Sequence, residues 1–410
     1  MRFEKYYIVF IFILFIFLHF YQLSLQEFVG NEASPMHNID RMWDAFSLHD
    51  IRFLAYPFLF YTDPFRAIFS GTLLNFIGPD RIILRLPSIG FAVFNFGLLI
   101  LIFKKEKIYP LLLIFSIFAY ALSALTINDR QAGGDSQTRF LFLLTSYILW
   151  KNRNSLNTKN FYLILSSLTL GILTMLDSLA LVPTTMVVFL RNFSFFNKKR
   201  FLILVVFVLF LSLYFIAWTL LPILAYKYGF QHYLSNRGLF YYFSRVRESI
   251  LLTPWDSVNG LTHYTSFLFT LWMIITFLLS FKIKKYLFLC FISVFAWISV
   301  LFINHSSDHV IIYVSFFFYQ AVIVTDYIIK KYPIIKFPAM LILLLIALLN
   351  ASNLLTNYSS FFNFGIENGQ VKTYNKSKPI CLDESVIRIY RDHAQIPLGN
   401  FCLNNKIIPR

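Results

Sequence analysis

The chain has little charge, little glycine and few cysteines. Charged residues make up 14% of its 410 residues, whereas a soluble domain carries about 25%, so an ordinary soluble enzyme is excluded. Internal repeats and glycine-broken helices are typical of transporters. The sequence has few glycines and no internal repeat, which disfavours a transporter. Cys290 lies in an apolar run, whereas Cys381 and Cys402 lie in a polar tail and could pair if that tail is extracytoplasmic.

The chain consists largely of apolar runs, and hydrophobic residues make up 58% of it. The first run, 6–25, contains no Asp, Glu, Lys or Arg and has the length of about 20 residues that a helix needs to cross a membrane. We interpret it as a retained anchor, because no small-residue cleavage site follows it. With ten further runs it predicts an all-α polytopic membrane protein of about eleven transmembrane helices. The further runs are 84–103, 108–127, 138–150, 161–176, 178–190, 201–224, 264–281, 286–303, 310–329 and 334–355.

Many of the basic residues lie in short segments between these runs. The segments are 104–107, 151–159, 191–200, 282–285 and 330–336. With the N-terminus they hold 18 of the 36 Lys and Arg residues, against two acids, Glu4 and Glu106. Short basic loops stay in the cytoplasm, so the net charge of +16 indicates topology rather than nucleic-acid binding. The N-terminus is then cytoplasmic and the C-terminus extracytoplasmic.

The two predicted sides differ in their cations. The cytoplasmic set has 14 Lys and 4 Arg, whereas the rest of the chain has 13 Arg and 5 Lys. The planar guanidinium group binds phosphate and carboxylate through two hydrogen bonds, which favours anion binding on the outer side. Arg also snorkels and pairs in purely structural roles. The predicted outer segments are 26–83, 128–137, 225–263, 304–309 and the tail after 355.

The long first outer loop, 26–83, predicts two amphipathic helices that lie in the membrane interface. Apolar residues recur at helical spacing in each of them. Gly78 and Pro79 are a plausible end for the second helix. The first stripe is Ile39, Met42, Trp43 and Phe46, and the second is Phe65, Ile68, Phe69, Leu73, Phe76 and Ile77.

Carboxylates and arginines accumulate in the outer segments close to the membrane face. They are Glu32, Asp40 and Asp44 of the first loop, Arg85 at the second helix, Asp129, Arg130, Asp135 and Arg139 around the start of the fourth, and Arg237 of segment 225–263. Such groups are costly to desolvate, so a cluster of them indicates a functional site. A carboxylate can deprotonate an acceptor hydroxyl, while arginines stabilise the charge on a departing phosphate. The alternative is that these groups form salt bridges that tie loops together.

Four short elements follow one another in the first half of the chain: Asn31-Glu32, Asp63-Pro64, Phe76-Ile77-Gly78 and Arg85-Leu86-Pro87-Ser88. With segments 127–149 and 173–186, they make residues 1–190 resemble the GT-C class of membrane glycosyltransferases. The protein O-mannosyltransferases, the aminoarabinose transferases and related polyprenyl-phosphate-sugar transferases are most similar. Those families have an Asp-Glu pair after helix one, a His-Pro-Pro-like element, an amphipathic helix ending near Phe-Gly, and an Arg-Leu-Pro-Ser-like start of helix two.

The resemblance implies that Glu32 is the catalytic base and that Arg85 binds the donor phosphate. Asn31 stands where the family has Asp, so either Glu32 serves alone or the base is Asp40 or Asp135. The element around Asp63 lacks the His or Lys that is usual there. We expect Arg130 or Arg139 to bind the phosphate together with Arg85. The further candidates for substrate binding are Asn31, Asp63, Asp135 and Arg237.

We therefore expect an inverting GT-C-type glycosyltransferase in the plasma membrane of a prokaryote. It would transfer a sugar from a polyprenyl-phosphate donor to a lipid, glycan or protein acceptor on the extracytoplasmic face. The alternatives are a multi-pass transporter or flippase of lipid-linked glycans, and a lipid-linked glycan ligase or polymerase centred on segment 225–263. Residues 1–355 would form the transmembrane domain and residues 356–410 a small extracytoplasmic tail.

Other polar residues carry weaker signals. No cofactor is indicated, but a divalent metal is left open because "HSSDH" at 305–309 could hold one. A solvated loop explains that segment more simply. Asp177 and Asp326 lie within or at the end of apolar runs, and we interpret them as boundary residues near the outer and the inner interface respectively.

Overall fold

The fold consists almost entirely of helices. The computed structural model describes residues 2–21, 23, 81–131, 134–227, 258–303, 307–357, 366–367 and 370–371, and the single positions 65, 69, 73 and 77. In chain order the helices are α1 (Arg2–Phe20), α2 (Arg81–Lys105), α3 (Pro110–Ala121), α4 (Leu125–Asp129), α5 (Asp135–Lys151), α6 (Thr158–Thr174), α7 (Val182–Arg191), α8 (Lys198–Lys227), α9 (Phe267–Ser280), α10 (Leu287–Ile303), α11 (Val314–Lys331) and α12 (Lys336–Asn357). Residues 258–264 are helical as well.

Short 3₁₀ segments join several of these helices. They are Leu176–Leu181, Phe193–Phe195, Lys284–Tyr286, Ser307–Tyr313 and Pro333–Ile335. The strands that the structure describes form a two-residue antiparallel ladder, β1 (Ile366–Glu367) with β2 (Gln370–Val371). This ladder belongs to the polar tail.

The apolar runs of the sequence lie largely within these helices, some together with a preceding 3₁₀ segment. The run 108–127 is an exception to the prediction of one helix, because it is divided between α3 and the start of α4. Among the described residues, three helical stretches are long and apolar enough to cross a membrane: Ile82–Lys105, Val310–Lys331 and Pro333–Thr356. A fourth is the pair Phe267–Ser280 and Lys284–Val300, which is bent by 107° at its break. The fold is thus all-helical, with three or four candidate membrane spans in the part of the chain that the structure describes.

Helix α11 lies at the centre of the packed core. The most apolar stretch of this span is 89% buried, against 56% for that of α2 and 28% for that of α12. Its Phe318 lies 4.9 Å from the ring of Tyr120 and 5.7 Å from that of Phe103, measured between ring centroids. Burial of this aromatic surface from α2, α3 and α11 holds the three helices together.

Local signals explain several helix boundaries. Pro110 occupies the first turn of α3, where its missing N–H costs nothing. Asn157 caps α6 by accepting a hydrogen bond from the amide of Asn160 at 2.8 Å. Pro87 lies inside α2 and cannot donate a hydrogen bond to the carbonyl of Ile83. The turn that contains Arg85 therefore lacks the hydrogen bond that another residue at position 87 would donate.

The basic segments assemble at one end of the helices, which we call the Lys-rich end: 104–107, 151–159, 191–200, 282–285 and 330–336. Lys330 Nζ donates to the carbonyl oxygen of Lys107 at 3.0 Å, and Lys151 Nζ pairs with Glu106 Oε1 at 2.6 Å. Segments 330–336 and 151–159 are thereby tied to segment 104–107, at the end of α2.

The remaining basic segments join through neutral groups. The amide of Leu156 donates to Asn192 Oδ1 at 3.0 Å, which links segments 151–159 and 191–200. The ring of Tyr286 lies 6.4 Å from that of Trp150 and 5.9 Å from that of Tyr327. The turn at 282–285 is thus placed beside the ends of α5 and α11.

Part of the second predicted interfacial helix is described. Phe65, Phe69, Leu73 and Ile77 are all helical and are spaced four residues apart, so they share one helix face. The rings of Phe65 and Phe69 stack at 5.8 Å, and both approach the edge of Phe91 on α2, at 6.5 and 6.3 Å. The first predicted interfacial helix, with Ile39 to Phe46, lies outside the described residues.

Candidate functional site

Buried charges gather at the opposite end of the helices, which we call the Arg-rich end: His19, Arg85, Asp129, Arg130 and Arg139. The three arginines are among the largest fully buried side chains of the described chain, with exposed fractions of 0 to 1%. Asp129 is 2% exposed and His19 is 0% exposed. Buried charge of this density is costly unless it is paired or functional.

Arg139, in the second turn of α5, holds three segments together. Its Nη1 donates to Asp129 Oδ1 at 2.6 Å and its Nη2 to Asn128 Oδ1 at 3.1 Å. Its Nε donates to the carbonyl oxygen of Ile311 at 3.0 Å. The guanidinium group therefore ties α4 and the 3₁₀ segment Ser307–Tyr313 to α5, and most of its donors are used within the protein.

His19 joins the same network from the last turn of α1. Its Nδ1 donates to the carbonyl oxygen of Phe15 at 2.7 Å, and its Nε2 lies 3.5 Å from Asp129 Oδ2. The Asp129 carboxylate thus lies between the imidazole ring and the Arg139 guanidinium group. These contacts fix the carboxylate at the point where α1, α4 and α5 meet.

Arg85 and Arg130 form a second pair of charges in this region. Arg85 Nη1 donates to the carbonyl oxygen of Leu23, just beyond α1, at 2.9 Å. Burial and the positive charge of Arg85 lower the pKa of Arg130 to about 9. Arg130 still carries its charge at pH 7, but two buried cations close together raise each other's energy.

Asp135 lies at the rim of the cluster, in the first turn of α5, and it is half-buried. Asn128 Nδ2 donates to its Oδ2 at 2.8 Å. Gly134 directly before it has φ = 83°, a left-handed conformation that glycine adopts without steric cost. This turn presents the Asp135 carboxylate at a helix N-terminus, where negative charge is favourable.

A neutral polar cluster lies beneath the charged one. Asn95 Nδ2 donates to Ser315 Oγ at 2.7 Å and to the Tyr120 hydroxyl at 3.2 Å, and the two hydroxyl groups are 2.7 Å apart. All three side chains are buried. The polar interior thus extends from the Arg-rich end into the region between α2, α3 and α11.

The two predicted boundary acids are both nearly inaccessible. Asp177 lies in the 3₁₀ segment after α6 and is 2% exposed. Its carbonyl oxygen accepts from the Tyr313 hydroxyl at 3.0 Å. Asp326 is at the Lys-rich end, where it accepts from the Tyr109 amide at 2.9 Å and from Lys330 Nζ at 2.6 Å. Asp326 thus anchors the start of α3 to α11.

The predicted site residues divide into two groups. The structure brings Arg85, Arg130, Arg139 and Asp135 together at one end of the helices. The other predicted residues lie outside the described part of the chain: Asn31, Glu32, Asp40, Asp63 and Arg237. The same holds for Cys381, Cys402 and the side chains of "HSSDH". Within the described ranges, no three His, Cys, Asp or Glu side chains are grouped as metal ligands would be.

Sequence analysis did not single out His19 or Asn128. His19 is the only ionisable side chain besides tyrosine in the first apolar run, and an ionisable residue inside a membrane helix is a signal of function or of buried pairing. That signal was present and could have been used. Nothing in the local sequence of Asn128 indicates that its amide bridges Arg139 and Asp135.

The charge of the cluster suits an anionic ligand. The described groups include three guanidinium ions and the two carboxylates of Asp129 and Asp135. Asp129 pairs with Arg139, and Arg85 and Arg130 add two further buried guanidinium groups to the cluster. Guanidinium groups are the usual protein ligands of phosphate.

Comparison of the chain with models of known protein families, with curated protein sequences and with solved structures finds no match. The site is therefore interpreted from its own geometry.

Proposed function

We propose that the protein is a membrane glycosyltransferase that uses a polyprenyl-phosphate sugar as donor. The observation that carries the proposal is the burial of Arg85 and Arg130 within one charged cluster, where burial, and after it the repulsion from Arg85, lower the pKa of Arg130 to about 9. A phosphate group between them would offset this repulsion and accept hydrogen bonds from both. The bilayer is the ordinary location of a phosphate that carries a polyprenyl tail.

The membrane arrangement is part of the same proposal. All of the roughly eleven apolar runs would cross the membrane, and the Lys-rich end would face the cytoplasm. The Arg-rich end would then lie at the extracytoplasmic face of a prokaryotic plasma membrane. Residues 356–410 would form the small extracytoplasmic tail.

The exposed face of α2 offers an apolar surface on which the lipid tail could lie. Ile82, Leu86 and Phe94 are exposed and lie on one face of the helix, with Gly90 between them. A Cβ atom built at Gly90 would meet nothing within 4 Å, so the face has an open notch there. Leu86 of this face is directly beside Arg85 in the chain, so the tail would run along α2 from a phosphate at the arginine pair.

The proposed reaction is an inverting displacement at the anomeric carbon. Glu32 would take the proton of the acceptor hydroxyl, and that oxygen would form the new bond to the anomeric carbon. The bond from this carbon to the phosphate oxygen would break, and polyprenyl phosphate would leave. Arg85 and Arg130 would stabilise the phosphate as its charge increases. Arg139, which is bonded to Asp129, would position the cluster.

The first test measures phosphate recognition. Purified wild type should bind farnesyl phosphate at least tenfold more tightly than farnesol, because hydrogen bonds to a charged group contribute about 1.5–3 kcal/mol. Arg85→Gln should remove that preference. Arg153→Gln is the control, because Arg153 lies at the Lys-rich end over the ring of Trp150. Equal binding of farnesyl phosphate and farnesol by the wild type would contradict the proposal.

The second test measures transfer. Membranes containing the protein would receive undecaprenyl-phosphate donors labelled in glucose, mannose or galactose, and labelled product would be counted. Glu32→Gln should retain farnesyl phosphate binding but lose transfer, because it removes the base without removing the arginines. Transfer that is undiminished in Glu32→Gln would assign the base to Asp40 or Asp135. Movement of intact donor across the bilayer without transfer would instead identify a flippase.

A further inference from the structure

A cavity of about 510 Å³ opens between the beginnings of α3 and α12, at the Lys-rich end. Its lining residues are apolar apart from Lys336. The side chains that define its walls are Leu111 and Phe115 of α3, and Phe337, Met340, Leu341 and Lys336 of α12. The cavity lies at the other end of the helices from the arginines and takes no part in the proposed reaction.

The surface around this groove is apolar and poorly covered by protein. Helix α12 is the least buried of the three single-helix candidate spans, with 28% of its most apolar stretch buried. Phe337 is 70% exposed and Leu341 is 51% exposed. In a helix that crosses a membrane, such side chains face hydrocarbon. An acyl chain is therefore the natural neighbour of the groove walls.

The end of the groove is positively charged. Lys336 Nζ lies 4.3 Å from the centre of the Tyr109 ring, which holds the ammonium group at the start of α12. Lys330 lies close by, where it donates to the carbonyl oxygen of Lys107. Asp326 of α11 already accepts from Lys330 and from the Tyr109 amide, and Glu106 pairs with Lys151. Lys336 thus presents its charge where a lipid headgroup would meet an acyl-chain groove.

We propose that this groove binds an anionic phospholipid from the leaflet at the Lys-rich end. One acyl chain lies between α3 and α12, and the phosphate group contacts Lys336. Basic pockets between membrane helices on the cytoplasmic side are known sites for anionic headgroups, and the lysine stem can pack on apolar surface while its ammonium group reaches the headgroup. The proposal does not depend on the glycosyltransferase activity.

The test measures lipid retention by native mass spectrometry of the purified full chain. The protein would receive equal amounts of dioleoyl phosphatidylglycerol and dioleoyl phosphatidylcholine, which differ in mass and in charge. Wild type should retain the phosphatidylglycerol preferentially. Lys336→Gln should reduce that retention about fivefold. Lys331→Gln is the matched control, because Lys331 is an exposed lysine of the same end that does not line the groove.

A second pair of variants tests the acyl-chain part of the site. Leu341→Trp fills the groove and should lower retention of both lipids without changing the charge. Leu348→Trp is its control, because Leu348 is 59% exposed on the same helix but does not line the cavity. Equal retention of the two lipids by the wild type would overturn the proposal, as would equal losses in Lys336→Gln and Lys331→Gln. A dimer that Leu341→Trp disrupts, without retained lipid, would show that a second copy covers the groove.

Discussion

The Lys-rich end and the Arg-rich end both contain ion pairs of 2.6 Å, but the surroundings of these pairs differ. In the pair Lys151–Glu106, the side chains are 38% and 14% exposed. In the pair Arg139–Asp129, they are 1% and 2% exposed. Water screens the first pair and leaves the second almost unscreened. Equal distances therefore imply different free energies and different roles.

The difference indicates which end is specialised. A partly exposed lysine pair costs little to form and contributes little to stability. A cluster of three buried arginines is expensive and is retained only where the charges are paired or bind a ligand. We infer that the Arg-rich end holds the function. The following substitutions test this comparison, in order of their expected effect.

The largest effect is expected for Arg139→Met, which removes the cation and leaves the buried Asp129 carboxylate facing His19 alone. Breaking a buried pair in this way typically costs about 3–5 kcal/mol. The free energy of unfolding would be measured by titration with SDS in mixed micelles. We expect the variant to unfold at a much lower SDS fraction than the wild type.

A double variant separates charge from packing at the same position. Arg139→Met with Asp129→Asn removes both charges, and replacing both partners of a buried pair is often close to neutral. The double variant should therefore be more stable than Arg139→Met alone. If it is less stable, the loss in the single variant comes from the contacts with Asn128 and Ile311 and not from the uncompensated charge.

An intermediate effect is expected for Asn350→Leu, which tests a buried neutral group. Asn350 Nδ2 donates to the carbonyl oxygen of Ala119 at 2.7 Å, and its Oδ1 accepts from the amide of Ser266 at 2.7 Å. Leucine would leave both backbone groups unsatisfied, at a cost of about 1–3 kcal/mol. The same SDS titration should place this variant between the wild type and Arg139→Met. Asn350→Asp keeps the acceptor oxygen, so the hydrogen bond from the Ser266 amide should be preserved. It adds a buried negative charge, however.

Much of the helical framework follows from the sequence, because apolar runs separated by lysine-rich segments are set by local composition. The run at 84–103 lies within α2, which ends at Lys105, and the run at 334–355 lies almost entirely within α12, which begins at Lys336. What the runs do not determine is geometry. The runs 264–281 and 286–303 are apolar in the same way, and nothing in them predicts the 107° bend between the helices that they form. The 3₁₀ segment Ser307–Tyr313 was likewise not predicted, because it has no distinct hydrophobic period.

The site was predictable in its residue types but not in its pairing. The positions of arginines at the predicted outer helix ends, together with the family resemblance for Arg85, singled out Arg85, Arg130 and Arg139. That Arg139 bonds to Asp129, while Arg130 is near Arg85, depends on how α2, α4 and α5 pack against one another. The pairing of His19 could not be predicted for the same reason, because its partner Asp129 is 110 residues away in the sequence.

The smallest effect is expected for Lys151→Met at the Lys-rich end. Lys151 loses its pair with Glu106, but Glu106 keeps the hydrogen bond that it accepts from the Tyr147 hydroxyl at 3.1 Å and is partly solvated. Exposed pairs contribute about 0–1 kcal/mol, and added salt should reduce even that difference. The SDS titration at low and high ionic strength would measure both effects. A loss as large as that of Arg139→Met, or one insensitive to salt, would show that burial does not distinguish the two ends. The inference that places function at the arginines would then lose its energetic basis.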